Sequence, residues 1–216
     1  RVITNSAYTA QRVAALAGPD TRVAIVSPPI GITPEHTSAS AIRAVRERAG
    51  VGDAPVVLSA GRLVQRKGFD TLLETMALVQ RHVPGVRLVI IGSGPVERAL
   101  RQHAERLRVP AVFIGAADDA ELAAWYGACD VFAMFPRELP DGDVEGFGIV
   151  YLEANGFGKP VVGTRSGGVP DAIAHGVSGF LVPSDRPHAA AARITRLLLR
   201  PDCSAASCII FITRSA

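Results

Sequence analysis

The stretch PVVLSAGRLVQRKGFDTLLETMALVQRHVPGVRLVIIGSGP, residues 55–95, decides how the rest of the chain is read. Two apolar runs, each closed by glycine, bracket a segment in which Leu72, Leu73, Met76, Val79 and Val83 recur at helical spacing. The runs are apolar throughout instead of alternating, which is the pattern of strands covered on both faces. Strand, amphipathic helix and strand in succession build a parallel sheet. The same rhythm continues through AVFIG (111–115), DVFAMF (130–135), KPVVGT (159–164) and SGFLV (178–182). The expected fold is therefore α/β, a Rossmann-like doubly wound parallel sheet. Ligands of such sheets sit beyond the carboxyl ends of the strands. The loops to search are GRLVQRKG, GSGP, GAADD, PRELPDGDVEGFG and TRSGGVPD.

Upstream of this region, Ser6 is placed to cap a helix running to Gly18. RVAIV (22–26) then reads as a short strand and SPPIGITP (27–34) as a rigid connector. The chain opens at Arg1 without a methionine, so residues 1–30 are expected to be the end of a preceding domain and the start of a linker. Residues 31–200 form the sheet domain. From Cys203 the sequence CSAASCIIFITRSA loses periodic continuity, and residues 201–216 read as an atypical tail, a cloning scar or a shifted reading frame. With 48% hydrophobic residues in 216, a large core is available. The net charge of +3 is spread among acids instead of gathered with aromatics, so no nucleic-acid partner is expected. Cys129, Cys203 and Cys208 form no CxxC pair, which fits a reducing compartment. No apolar run reaches the roughly 18 residues needed to span a bilayer. A soluble, cytoplasmic protein is expected.

Among the loops, GRLVQRKG places two cations, Arg62 directly after Gly61 and Lys67 before Gly68, at the mouth of a helix. A planar fork and a point charge together suit a diphosphate and the charge that builds on a leaving group. Two basic residues in a loop would by themselves be read as a solvated surface. Farther on, EGFG opens a helix whose start allows Phe147, Gly148 and Ile149 to offer amides to a phosphate. Glu145 stands at the rim of the same pocket. Glu153 is the second notable acid, since Ile149 and Val150 put it on an apolar helix face. Burial there calls for a neighbouring cation or the hydroxyl groups of a ligand. Ser93 and Gly94 in GSGP are read as lining the nucleotide end of the pocket, against a plain glycine turn. The third glycine of a dinucleotide fingerprint is absent, Glu97 standing in its place. Asp141 and Asp143 spell a DxD, which is read as solvated instead of metal-binding. Trp125 and Tyr126 are read as core, and no histidine pairs with a serine or cysteine in a nucleophile arrangement.

These motifs, in this order, resemble the retaining glycosyltransferases of family 4, whose GT-B fold carries a Glu-x7-Glu motif in its C-terminal, donor-binding half. Glu145 and Glu153 have that spacing. The resemblance runs from ITNS at Ile3 to about Arg200, through GRLVQRKG, IIGSGP, ACDVF, EGFGIVYLEANGFGKPVVG and SGGVPDAI. It implies that Arg62 and Lys67 hold the donor diphosphate, that Glu145 contacts the sugar hydroxyls and that Glu153 binds the ribose. The loop DGDVEGFGIVYLEA is most similar to that of bacterial phosphatidylinositol mannosyltransferases. That implies a nucleotide diphosphosugar as substrate, GDP-mannose first and a UDP-sugar second, with no metal or other cofactor.

The same resemblance implies a lipid or glycan acceptor, bound through an N-terminal domain, and peripheral contact with the inner face of the membrane. The chain departs from the family where SPPIGIT lacks the aspartate that usually follows the paired prolines, and again in the tail. The alternative reading is a nucleotide-binding module without catalysis. An NAD-dependent oxidoreductase is a third, weakened by the missing glycine.

Overall fold

A computed structural model describes residues 1–18 and 20–200. The expectations for residues 201–216 lie outside the described residues. Six parallel strands form the main sheet: β3 (Val56–Ala60), β4 (Arg87–Ile91), β5 (Ala111–Gly115), β6 (Val131–Ala133), β7 (Val161–Thr164) and β8 (Gly179–Val182). Their order is β5-β4-β3-β6-β7-β8. Each crossover is helical, and the order reverses between β3 and β6, the arrangement of a doubly wound nucleotide-binding sheet. Before it, β1 (Val2–Thr4) and β2 (Val23–Ile25) make a separate two-stranded parallel pair around α1 (Ala7–Ala17). The Ser6 hydroxyl accepts from the Thr9 amide at 3.0 Å, and Gly18 ends this helix, as its sequence predicts.

Both faces of the main sheet are buried, which explains the unbroken apolar strands. On β3, Val56, Leu58 and Ala60 join one core while Val57 joins the other. Strand periodicity sends neighbours to opposite faces. One core receives α2 (Ala39–Arg48), α5 (Asp119–Ala128), α6 (Ile149–Gly156) and α7 (Val169–Ala172); the other receives α3 (Phe69–Val79), α4 (Glu97–Leu107) and α8 (Pro187–Leu199). On α3, Leu72, Leu73, Met76 and Val79 are all buried. Each such side chain contributes about 1.5–3 kcal/mol relative to exposure. The helix stops at Val79, and Val83 is buried from the following turn.

Candidate functional site

The order reversal brings the loop after β3 beside the loop after β6, and there the sequence's two charged motifs meet. Gln65–Lys67 forms a 3-10 turn closed by Gly68 in the left-handed region. That turn holds Lys67 so that Nζ lies 2.5 Å from Glu145 Oε2, both side chains only 12% exposed. Gly61 sits against the same lysine: a side-chain carbon added there would lie 3.8 Å from Nζ. Arg62 is exposed, and among the described residues its guanidinium enters no ion pair. Of the two cations expected at the diphosphate, one is thus poised on a carboxylate and the other is open to solvent.

A third cation, which the sequence reading passed over, completes the cluster. Arg66 is 15% exposed, its Nε donates to Asp143 Oδ1 at 2.9 Å, and its Nη1 lies 3.7 Å from Glu145 Oε2. Asp143 is the second acid of the DGD run. Its side chain is half exposed, in keeping with the solvated reading, and its carboxylate is also paired with Arg66. The Arg66 carbonyl in turn accepts from the Arg137 amide at 2.8 Å, and the Arg137 guanidinium forks onto Asp70 at the start of α3, both bonds 2.8 Å. The long loop after β6 is therefore tied to the basic loop along much of its length. Its far side is tied as well: Glu145 accepts from the Gly168 amide through its carbonyl at 2.8 Å, so the SGG turn presses on the acidic loop's backbone.

The start of α6 follows directly. Gly148 adopts φ +90°, and a side-chain carbon there would meet the Tyr151 ring at 2.7 Å, so only glycine fits. No side chain caps this helix, which leaves its first amides without a side-chain acceptor in front of Ile149. Phe147 is buried in the core below. Tyr151, fully buried, donates to the Met134 carbonyl at 2.7 Å and so pins α6 to the end of β6.

Glu153 lies in the second turn of α6, away from the charged cluster. It is 6% exposed, and its Oε2 accepts from the Tyr126 hydroxyl at 2.8 Å. The partner is a phenol from α5, where the sequence called for a cation or a ligand. Burial pushes its pKa above the usual carboxylate range, the Tyr126 bond partly opposes that, and Asp119 adds to it. Burial, then the charge and hydrogen bond of Glu153, raise Tyr126 well above its usual value. Tyr126 is core, as expected, and also a partner of the acid. Oε1 faces the linker: a side-chain carbon at Gly31 would lie 4.0 Å from it.

Ser93 and Gly94 lie on the neighbouring loop after β4. The Ser93 carbonyl accepts from Leu63 at 2.9 Å, and Gly94 packs so closely that a side-chain carbon would fall 2.2 Å from the Leu63 carbonyl. The structure thus brings Gly61, Lys67, Glu145 and Gly148 together at the switch point. Gly94 supports that loop from behind, and Glu153 stands at a second position along α6.

Comparisons with known proteins agree with this architecture. Residues 42–209 match the family model described as glycosyl transferases group 1. A GDP-mannose-dependent alpha-(1-6)-phosphatidylinositol monomannoside mannosyltransferase of Mycolicibacterium smegmatis is 39% identical over 204 residues, 93% of this chain and 53% of that relative. The enzyme of the same name from Mycobacterium tuberculosis is 36% identical over 200 residues, 91% of this chain and 52% of the relative. This chain spans about half the length of the curated relatives it matches. Among solved structures, Anabaena Alr3699/HepE in complex with UDP and glucose superimposes with a TM-score of 0.82 at 26% identity, over 95% of this chain and 55% of that one. Fold, motif order and relatives coincide: the chain belongs to the group 1 glycosyl transferase family.

Proposed function

We propose that this chain carries the donor site of a retaining glycosyltransferase that moves a hexose from a nucleotide diphosphosugar to a lipid or glycan hydroxyl. The observation that carries the reading is the Lys67–Glu145 pair at the strand-order reversal, facing the uncapped start of α6. Arg62, Lys67 and the amides of Gly148 and Ile149 take up charge on the departing diphosphate, where preorganised donors stabilise a transition state most. Glu145 holds the sugar hydroxyls and Glu153 the ribose. In the proposed step the acceptor oxygen bonds to the anomeric carbon on the face the phosphate leaves. The bond from that carbon to the phosphate oxygen breaks, and the hydroxyl proton passes to the leaving phosphate. No metal enters this scheme, because Arg62 and Lys67 neutralise the diphosphate and Asp143 is engaged by Arg66.

Mannose from GDP-mannose is the preferred donor, on the strength of the relatives' names, with a UDP-sugar as the second choice. The phosphatidylinositol monomannoside in those names supports a lipid acceptor, met by the whole protein at the inner, cytoplasmic face of a membrane. Among the described residues no helix is long and apolar enough to cross one. Calorimetric titration of the chain with GDP, GDP-mannose, UDP and UDP-glucose, followed by assay of transfer and donor hydrolysis, tests the proposal. Absence of binding to all four defeats it. Binding without turnover supports the second reading, a nucleotide-binding module.

A further inference from the structure

Both cations beside Glu145 approach the same oxygen of its carboxylate. Lys67 Nζ and Arg66 Nη1 approach Oε2 as ion pairs at 2.5 and 3.7 Å, and among the described residues neither carboxylate oxygen makes a hydrogen bond, Oε2 being buried. The two cations are not equivalent. Lys67 contacts the carboxylate directly, and its flexible stem ends in a point charge that can turn to a phosphate. Arg66 is anchored twice, its Nε on Asp143 and its carbonyl on the Arg137 amide, and Arg137 is in turn held on Asp70. Its Nη1 is buried and makes no hydrogen bond. A buried N–H donor without an acceptor is costly, and this one points at a carboxylate just beyond bonding distance.

A diphosphate entering the site competes with Glu145 for Lys67. Were Lys67 the only cation present, its departure would leave a nearly buried carboxylate unpaired, and the acid would swing out. We propose, resting on the donor-site reading above, that Arg66 is a positioning residue that takes over Glu145 when the donor draws Lys67 away. It keeps that carboxylate paired and in place, with Oε1 turned to the sugar. A shift of about 1 Å brings Nη1 into hydrogen-bond range. The guanidinium stays charged and planar throughout, and Asp143 sets the direction of its fork.

The consequence is a division of labour that binding can read. Arg66 does not touch the diphosphate, and with no sugar to hold, Glu145 can swing out to solvent at little cost, so nucleoside diphosphate affinity does not depend on Arg66; recognition of the attached sugar does. The test is calorimetry of GDP and GDP-mannose, with UDP and UDP-glucose in parallel, on the wild-type chain and on Arg66→Ala, Arg66→Lys and Asp143→Asn, each checked by thermal melting. Arg66→Ala is expected to leave nucleoside diphosphate affinity within about twofold while lowering nucleotide-sugar affinity about tenfold, the loss of one charge-assisted hydrogen bond. Arg66→Lys, which keeps the charge but not the second donor edge, loses the same preference, and Asp143→Asn loses part of it. An equal fall for both ligands, or no change in either, overturns the proposal. Loss of the melting transition in both Arg66 variants also overturns it, by assigning the residue to the fold. A wild-type chain that binds none of the four ligands fails at the donor-site reading itself, whereas normal wild-type binding with an unaltered Arg66→Ala preference fails only here.

Discussion

Glu145 and Glu153 are eight positions apart and both nearly out of solvent, yet their surroundings differ in kind. Glu145 lies on a loop among charges, within reach of Lys67 and Arg66. Glu153 lies on a helix among apolar side chains, and its one hydrogen-bond donor among the described residues is the neutral Tyr126 hydroxyl. The first environment gives the acid two cations within reach of one oxygen. The second holds the acid in one orientation, where its charge is costly to bury. The same residue type thus meets two environments, because the sheet order surrounds one with loops and the helix surrounds the other with core.

The sharpest way to break the comparison is Lys67→Ala. It removes the cation paired with Glu145 and proposed for the diphosphate, and should lower donor affinity about a hundredfold, the cost of losing a preorganised electrostatic contact. Wild-type affinity by calorimetry would remove Lys67 from the donor site. Tyr126→Phe attacks the other acid. It leaves Glu153 Oε2 buried without a donor and should destabilise the fold by about 1–3 kcal/mol in denaturant titration, with the Glu153 pKa rising further. An unchanged midpoint would show that solvent already satisfies that oxygen.

Gly148→Ala tests the joint between the two regions. A positive φ costs a non-glycine residue about 1–2 kcal/mol, and the Tyr151 ring adds a clash, so a lower melting temperature is expected together with weaker diphosphate binding.

The smallest effect, and the one with the most telling sign, is Glu153→Gln. The Glu153 pKa is raised in the folded state, so that state binds the proton more tightly than the unfolded chain does. Stability from this group is therefore greatest below the unfolded value and is lost as pH rises through the folded one. At neutral pH the amide should melt no lower than wild type while nucleotide affinity falls, and the stability difference should shrink or reverse towards acid pH. A variant that melts lower at neutral pH and binds nucleotide unchanged would make Glu153 a structural acid. Glu145→Gln should do the opposite to stability, since it leaves two nearly buried cations facing a neutral group.

Much of this was legible in the chain because it depends on neighbours in sequence. The α3 stripe, the apolar strands, Ser6 at its helix start and Gly148 before Ile149 are local patterns. Lys67 and Glu145 could be picked out because each sits in a loop whose glycines and charges are local too. Arg66 and Asp143 could not. They are 77 positions apart, each reads as an ordinary exposed charge, and only pairing reveals their role. A basic residue directly beside Lys67 and an acid two before Glu145 were the available signal, and the DxD spelling drew the acid towards a different interpretation. Tyr126 was hidden for another reason: burial was predictable, but a core tyrosine's hydroxyl partner lies on a different helix.

By itself, then, the sequence determined the parallel α/β sheet, the loops that carry chemistry and the identity of the acids, since hydrophobic period, glycine and charge are properties of short segments. The tertiary structure decided which charges share a site. The strand order turns back between β3 and β6, setting two loops from distant parts of the chain side by side. An ion pair falls off within a few ångströms, so its partners are specified by that packing and by nothing local to either residue.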